Sequence, residues 1–64
     1  MKRLKGDELT VFSYSHCPFC GEDIIFPDEH NPMTKCEQCG TLFYAEFDEN
    51  GFLSEAYYFE EVDL

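Results

Sequence analysis

CPFCGEDIIFPDEHNPMTKCEQCG, residues 17 to 40, contains the same short word twice: Cys17-Pro18-Phe19-Cys20-Gly21 and Cys36-Glu37-Gln38-Cys39-Gly40. Two residues separate the cysteines within each word, and fifteen residues separate the two pairs. Two intervening residues let one tight turn aim both sulfurs at a single point, and fifteen allow a hairpin to carry the second pair back to the first. This is the spacing of a closed tetrahedral site in which four thiolates bind one metal ion at about 2.3 Å. Cys17, Cys20, Cys36 and Cys39 are therefore the expected ligands of one structural Zn²⁺. Gly21 and Gly40 close the two words. Glycine takes positive φ without a Cβ penalty, so both are expected to support the site by turning backbone N–H groups toward the sulfurs. Pro18 fixes φ in the first turn and removes a competing donor.

Other chemistries use cysteine pairs. Two disulfides require an oxidising compartment. A redox CxxC usually opens a helix within a βαβ unit, and the flanking pattern offers no such unit. Iron is the alternative metal, because four thiolates hold it as well. His16 reads as a neighbour of the site rather than a ligand, and His30 as an exposed loop residue.

Outside the two words the chain reads as short strands. Leu9–Ser15 (LTVFSYS) alternates and is rich in β-branched and aromatic residues, which predicts a strand. Asp23–Phe26 predicts a second, ended by Pro27. Residues 28–32 are a loop, and Met33–Lys35 an extended approach to the second cysteine pair. Thr41–Phe47 and Phe52–Phe59 are the clearest strands. Asn50-Gly51 between them predicts a hairpin with a type I′ turn. That turn fixes a register: Leu42 faces Phe59, Phe43 Tyr58, Tyr44 Tyr57, Ala45 Ala56, Glu46 Glu55, Phe47 Ser54 and Glu49 Phe52. Glu46 opposite Glu55 is a like-charge pair that a cation would relieve. No helical period is sustained anywhere.

The expected architecture is a small, metal-stabilised, mainly β domain with a three-stranded or slightly larger antiparallel sheet. Residues 1–8 read as a flexible basic lead, 9–59 as the domain and 60–64 as an acidic tail. A chain of 64 residues buries too little surface to stay folded without a staple. Metal binding in such sites is folding energy, about 10 kcal/mol or more, so the metal-free chain is expected to be unfolded or molten.

Charge narrows the function. Fourteen Asp and Glu face four Lys and Arg, a formal −10. Three of the bases, Lys2, Arg3 and Lys5, precede Gly6, and Lys35 is the only base after it. Nucleic-acid binders need the opposite field, so direct nucleic-acid binding by the body of the chain is not expected. The expected partner is a basic protein surface, which an acidic one attracts and selects. A nucleic-acid-handling protein such as part of the transcription machinery is one such target, with this chain as accessory factor or inhibitor. Glu46, Glu55, Tyr57, Tyr58, Glu60 and Glu61 form the candidate contact, being aromatic residues rimmed by acids. No catalytic pair stands apart from the cysteine words, and a domain of this size seldom encloses a pocket, so no enzyme is expected. The basic start is not followed by an apolar segment, and no stretch approaches a membrane span. A cytoplasmic, monomeric protein is expected.

The two CxxCG words and the strands around them resemble the zinc ribbons, in which two cysteine knuckles sit on hairpins before a small antiparallel sheet. The resemblance runs from about Leu9 to Phe59 and implies fold and metal rather than one function. Cys17-Pro18-Phe19-Cys20-Gly21-Glu22 also resembles the opening of small acidic bacterial proteins marked by a CPxCG motif, although Cys36-Glu37-Gln38-Cys39-Gly40-Thr41 departs from their second knuckle. The chain is similar to rubredoxins in size, acidity and aromatic content. That likeness would imply an Fe(Cys)₄ electron carrier. Rubredoxins, however, have a longer gap between pairs, proline in the second turn, and a core Trp that this sequence lacks.

Overall fold

A computed structural model describes residues 1–59. In chain order it contains β1 (Lys2–Arg3), α1 (Asp7–Ser13), β2 (Met33–Lys35), β3 (Leu42–Phe47) and β4 (Leu53–Phe59). The strands form one antiparallel sheet in the order β1-β4-β3-β2. The fold is small and mainly β, as the sequence implies, with four strands. The acidic tail, including Glu60 and Glu61, lies outside the described residues.

Two expectations are corrected at the N-terminal end. The basic lead is part of the sheet: Lys2 pairs with Tyr58 and Arg3 with Tyr57. Leu4, whose N–H donates to the Ala56 carbonyl at 2.9 Å, is buried in the core. An apolar residue buried beside the longest strand accounts for this docking; the surrounding charges hid it. The segment read as a strand, Leu9–Ser15, instead lies mostly in α1. Asp7 and Glu8 occupy its first turn, where carboxylates favour the helix N-terminus. Leu9 and Phe12, three apart, share the inward face, whereas Tyr14 is 73% exposed. Seven residues are too few for an independent helix, so packing holds it. The buried Phe12 ring lies 5.1 Å from Phe43 and 5.3 Å from Phe26, centroid to centroid. Ser15, at φ 67, then turns the chain into the first cysteine word.

The β3–β4 hairpin keeps the expected register from Leu42↔Phe59 through Glu46↔Glu55, then shifts so that Phe47 pairs with Leu53. The cause is the turn. Gly51 N–H donates to the Asp48 carbonyl (3.0 Å) and Asp48 N–H to the Phe52 carbonyl (2.9 Å). Gly51 has φ 83, while Asn50 is not among the residues with positive φ. This is a three-residue loop with glycine in the left-handed position, not a type I′ turn on Asn50-Gly51. Asp48 Oδ1 accepts from the Asn50 and Phe52 N–H groups at 2.9 and 3.0 Å, which fixes the longer loop. Asp23–Phe26 makes no strand; His16 and Asp23 form a single bridge.

The core comprises Leu4, Phe12, Cys17, Cys36, Phe43, Ala45 and Ala56. Leu9, Ile24, Phe26, Phe47, Leu53 and Tyr58 pack against it. All of it lies on one face of the sheet, beneath α1 and the chain after the first cysteine pair. The first cysteine of each word is buried within this core, so the site is continuous with it.

Candidate metal centre

The two cysteine words fold identically. Cys17 N–H donates to the Glu22 carbonyl at 2.8 Å, and Cys36 N–H to the Thr41 carbonyl at 2.9 Å. Gly21 N–H donates to the Cys17 carbonyl (2.9 Å), and Gly40 N–H to that of Cys36 (2.7 Å). The glycines have φ 79 and 80. The match extends into the flanking legs: His16 bridges Asp23 before and after the first turn, as Lys35 pairs with Leu42 around the second. Two knuckles with the same backbone therefore face one another across a local pseudo-twofold. In both, the first cysteine is buried and the second exposed.

The four sulfurs lie within 4.8 Å of one another. Across the knuckles, Cys17 Sγ is 3.6 Å from Cys39 Sγ, and Cys20 Sγ is 3.4 Å from Cys36 Sγ. Disulfide sulfurs would be about 2.05 Å apart. The edges of a Zn(Cys)₄ tetrahedron, with Zn–S at about 2.3 Å, are about 3.8 Å. The donor set therefore fits one tetrahedral ion, with all four positions filled by the chain.

Gly21 and Gly40, at positive φ, each precede a residue whose N–H faces a sulfur, Glu22 toward Cys20 and Thr41 toward Cys39. Their N–H groups close the turns, and the N–H groups facing sulfur come from neighbouring residues. Phe19 and Cys20 serve Cys17, Glu22 serves Cys20, and Thr41 serves Cys39. Thr41, buried and missed by the sequence reading, also sets its hydroxyl 3.3 Å from Cys39 Sγ. Its signal was a hydroxyl residue directly after Gly40.

These contacts divide the thiols. Burial raises the Cys17 pKa. At Cys20 the Glu22 N–H favours the thiolate, but desolvation and the neighbouring Cys36, Cys17 and Cys39 groups push the pKa up to about 12. At Cys39 desolvation opposes ionisation, but the Thr41 hydroxyl and N–H, with Cys17 and Cys36, bring it down to about 6. Four clustered sulfurs cannot all carry charge without a cation among them. Cys39 ionises readily, while Cys17 and Cys20 hold their protons until a metal displaces them.

His16 stands beside the site, as expected, and not within the sulfur cluster. Its Nε2 is 3.1 Å from Asp23 Oδ1 and its Nδ1 is 2.9 Å from the Tyr14 carbonyl. Of the candidate partner contacts, Tyr58 faces the core and packs on Phe19, with centroids 4.8 Å apart. Glu46, Glu55 and Tyr57 lie on the opposite face of the sheet. A cation that relieves Glu55 comes from within the chain: Arg3 Nη1 is 3.5 Å from Glu55 Oε1. Tyr57 donates its hydroxyl hydrogen to Glu55 Oε2, which raises the phenol pKa.

Comparison with family models, with curated proteins and with solved structures returns no match. The class is therefore defined by the site and fold alone: a small mainly β domain with a Cys₄ cluster in metal-binding geometry. No helix among the described residues is long and apolar enough to cross a membrane.

Proposed function

We propose that the chain is an acidic protein-interaction module built around one structural Zn²⁺ on Cys17, Cys20, Cys36 and Cys39. The observation carrying the metal half is the fit of four sulfurs within 4.8 Å to a single tetrahedron. With four thiolate ligands there is no position for a water, so the ion organises the fold rather than activating a nucleophile. The module is not an enzyme. Zinc is favoured over iron because the fifteen-residue gap, the proline in the first turn and the absence of Trp all depart from the rubredoxin pattern.

The interaction half rests on charge. A net −10 over 64 residues, deepened by −2 from Zn(Cys)₄, gives a field that attracts a basic protein and repels nucleic acid. Such a module suits docking on the basic surface of a nucleic-acid-handling protein in the cytoplasm. Elemental analysis of protein purified from metal-replete cells tests the metal reading. About one equivalent of colourless zinc is expected, and about one of iron, giving a red oxidised protein, would replace it with an electron carrier.

A further inference from the structure

The sheet has a second face that the fold does not cover among the described residues. Phe43, Ala45, Ala56 and Tyr58 point into the core. Strand alternation places Leu42, Tyr44 and Glu46 of β3, and Glu55, Tyr57 and Phe59 of β4, on the other side, in the register Leu42↔Phe59, Tyr44↔Tyr57 and Glu46↔Glu55. Leu42, Tyr44, Tyr57 and Phe59 belong neither to the core nor to the residues packed on it, and each is part-exposed. A solvated sheet face ordinarily alternates to polar residues. Here a row of rings and aliphatic groups stands there instead, extended onto β2 by Met33 opposite Tyr44. At the hairpin end, Arg3 compensates Glu55, while Glu46 has no ion pair among the described residues. Beside Glu46 lies an open groove of about 310 Å³ lined by Glu29, Pro32, Tyr44 and Glu46.

Resting on the interaction-module reading, we propose that this outer face is the docking surface. Its occupant is an extended, arginine-bearing segment of a basic partner protein. Glu29, Tyr44 and Glu46 line one groove, a set suited to a guanidinium, because arginine forks onto carboxylates and stacks on aromatics where lysine is only a point charge. Alternate apolar side chains of the segment cover Leu42, Tyr57 and Phe59. A second copy of this chain is disfavoured, since each would bring a net −10.

The test titrates the zinc-loaded, ¹⁵N-labelled full chain with a capped decapeptide alternating arginine and valine. The expected result is saturable amide shifts over Leu42–Glu46 and Glu55–Phe59. Binding should weaken about tenfold or more in Glu46→Lys and in Tyr44→Ser, each retaining one zinc. A lysine-for-arginine peptide should bind several-fold more weakly. Unsaturable shifts spread over the acidic loops, equal binding by Glu46→Lys, or a concentration-dependent dimer burying the same amides without peptide would each overturn the proposal. Saturable shifts confined to the knuckles would overturn this surface yet leave the interaction-module reading standing, and no shift with any basic peptide would remove both.

Discussion

Thr41 is the residue whose removal reports most directly on the metal centre. Its hydroxyl and N–H both face Cys39, the one thiol brought down to about 6. Thr41→Val keeps the shape and deletes the hydroxyl alone. The Cys39 pKa should rise, and zinc affinity should fall about tenfold, the lower end of what groups supporting a ligand contribute. Competition with a chromogenic chelator measures it. Proton linkage gives a second expectation. The Cys17 thiol is raised and that of Cys20 is pushed to about 12, so at neutral pH both are protonated and the metal must displace those protons. Each displaced proton adds one decade of affinity per pH unit, and lowering the pH restores the competitor. Between pH 6 and 9, apparent zinc affinity should therefore rise with pH by at least about two decades per unit. Below about 6, where Cys39 also protonates, the dependence should steepen.

At the scale of the element, the Arg3 strand and the hairpin stabilise one another. Glu46 and Glu55 are direct neighbours across β3 and β4, and Arg3, paired with Tyr57 on β1, reaches Glu55. Arg3→Ala should cost about 0.5–1 kcal/mol, small because both partners are about half exposed. Glu46→Gln in the same background should recover part of it, and a double-mutant cycle on denaturation midpoints separates that coupling from lost packing. What the sequence made legible follows the same division. The β3–β4 register was readable because the turn signal at Asn50-Gly51 places the end of the hairpin and strand parity excludes a one-residue slip, which would expose Phe43, Ala45 and Ala56. The two knuckles were readable because CxxCG permits few backbones. Helix α1 was not, since in seven residues Phe12 inside and Tyr14 outside is the only contrast that separates a helical period from a strand. β1 was missed because its strand residues are charged, and only Leu4 carries the signal to dock.

For the whole molecule, metal and core form one cooperative unit. Cys17 and Cys36 are at once core residues and members of the sulfur cluster, and Phe19, beside Cys20, stacks on Phe43 and meets Tyr58 edge-on. Phe43 in turn contacts Phe12, which holds α1. A change at either end of this chain of rings must reach the other. Phe12→Ala removes one of the two largest fully buried side chains, a loss of about 3–5 kcal/mol in cores generally. A domain this small has little more stability than that, so the variant should fold only as far as zinc drives it. Folding energy drawn from metal binding then appears as weakened zinc affinity, although Phe12 supplies no ligand atom. Stripping zinc from the wild-type chain with a strong chelator should likewise collapse dispersed NMR signals to a narrow amide range, and adding one equivalent should restore them. Were the stripped protein to keep its dispersed spectrum, the core would be self-sufficient and the coupling between rings and ion would be absent.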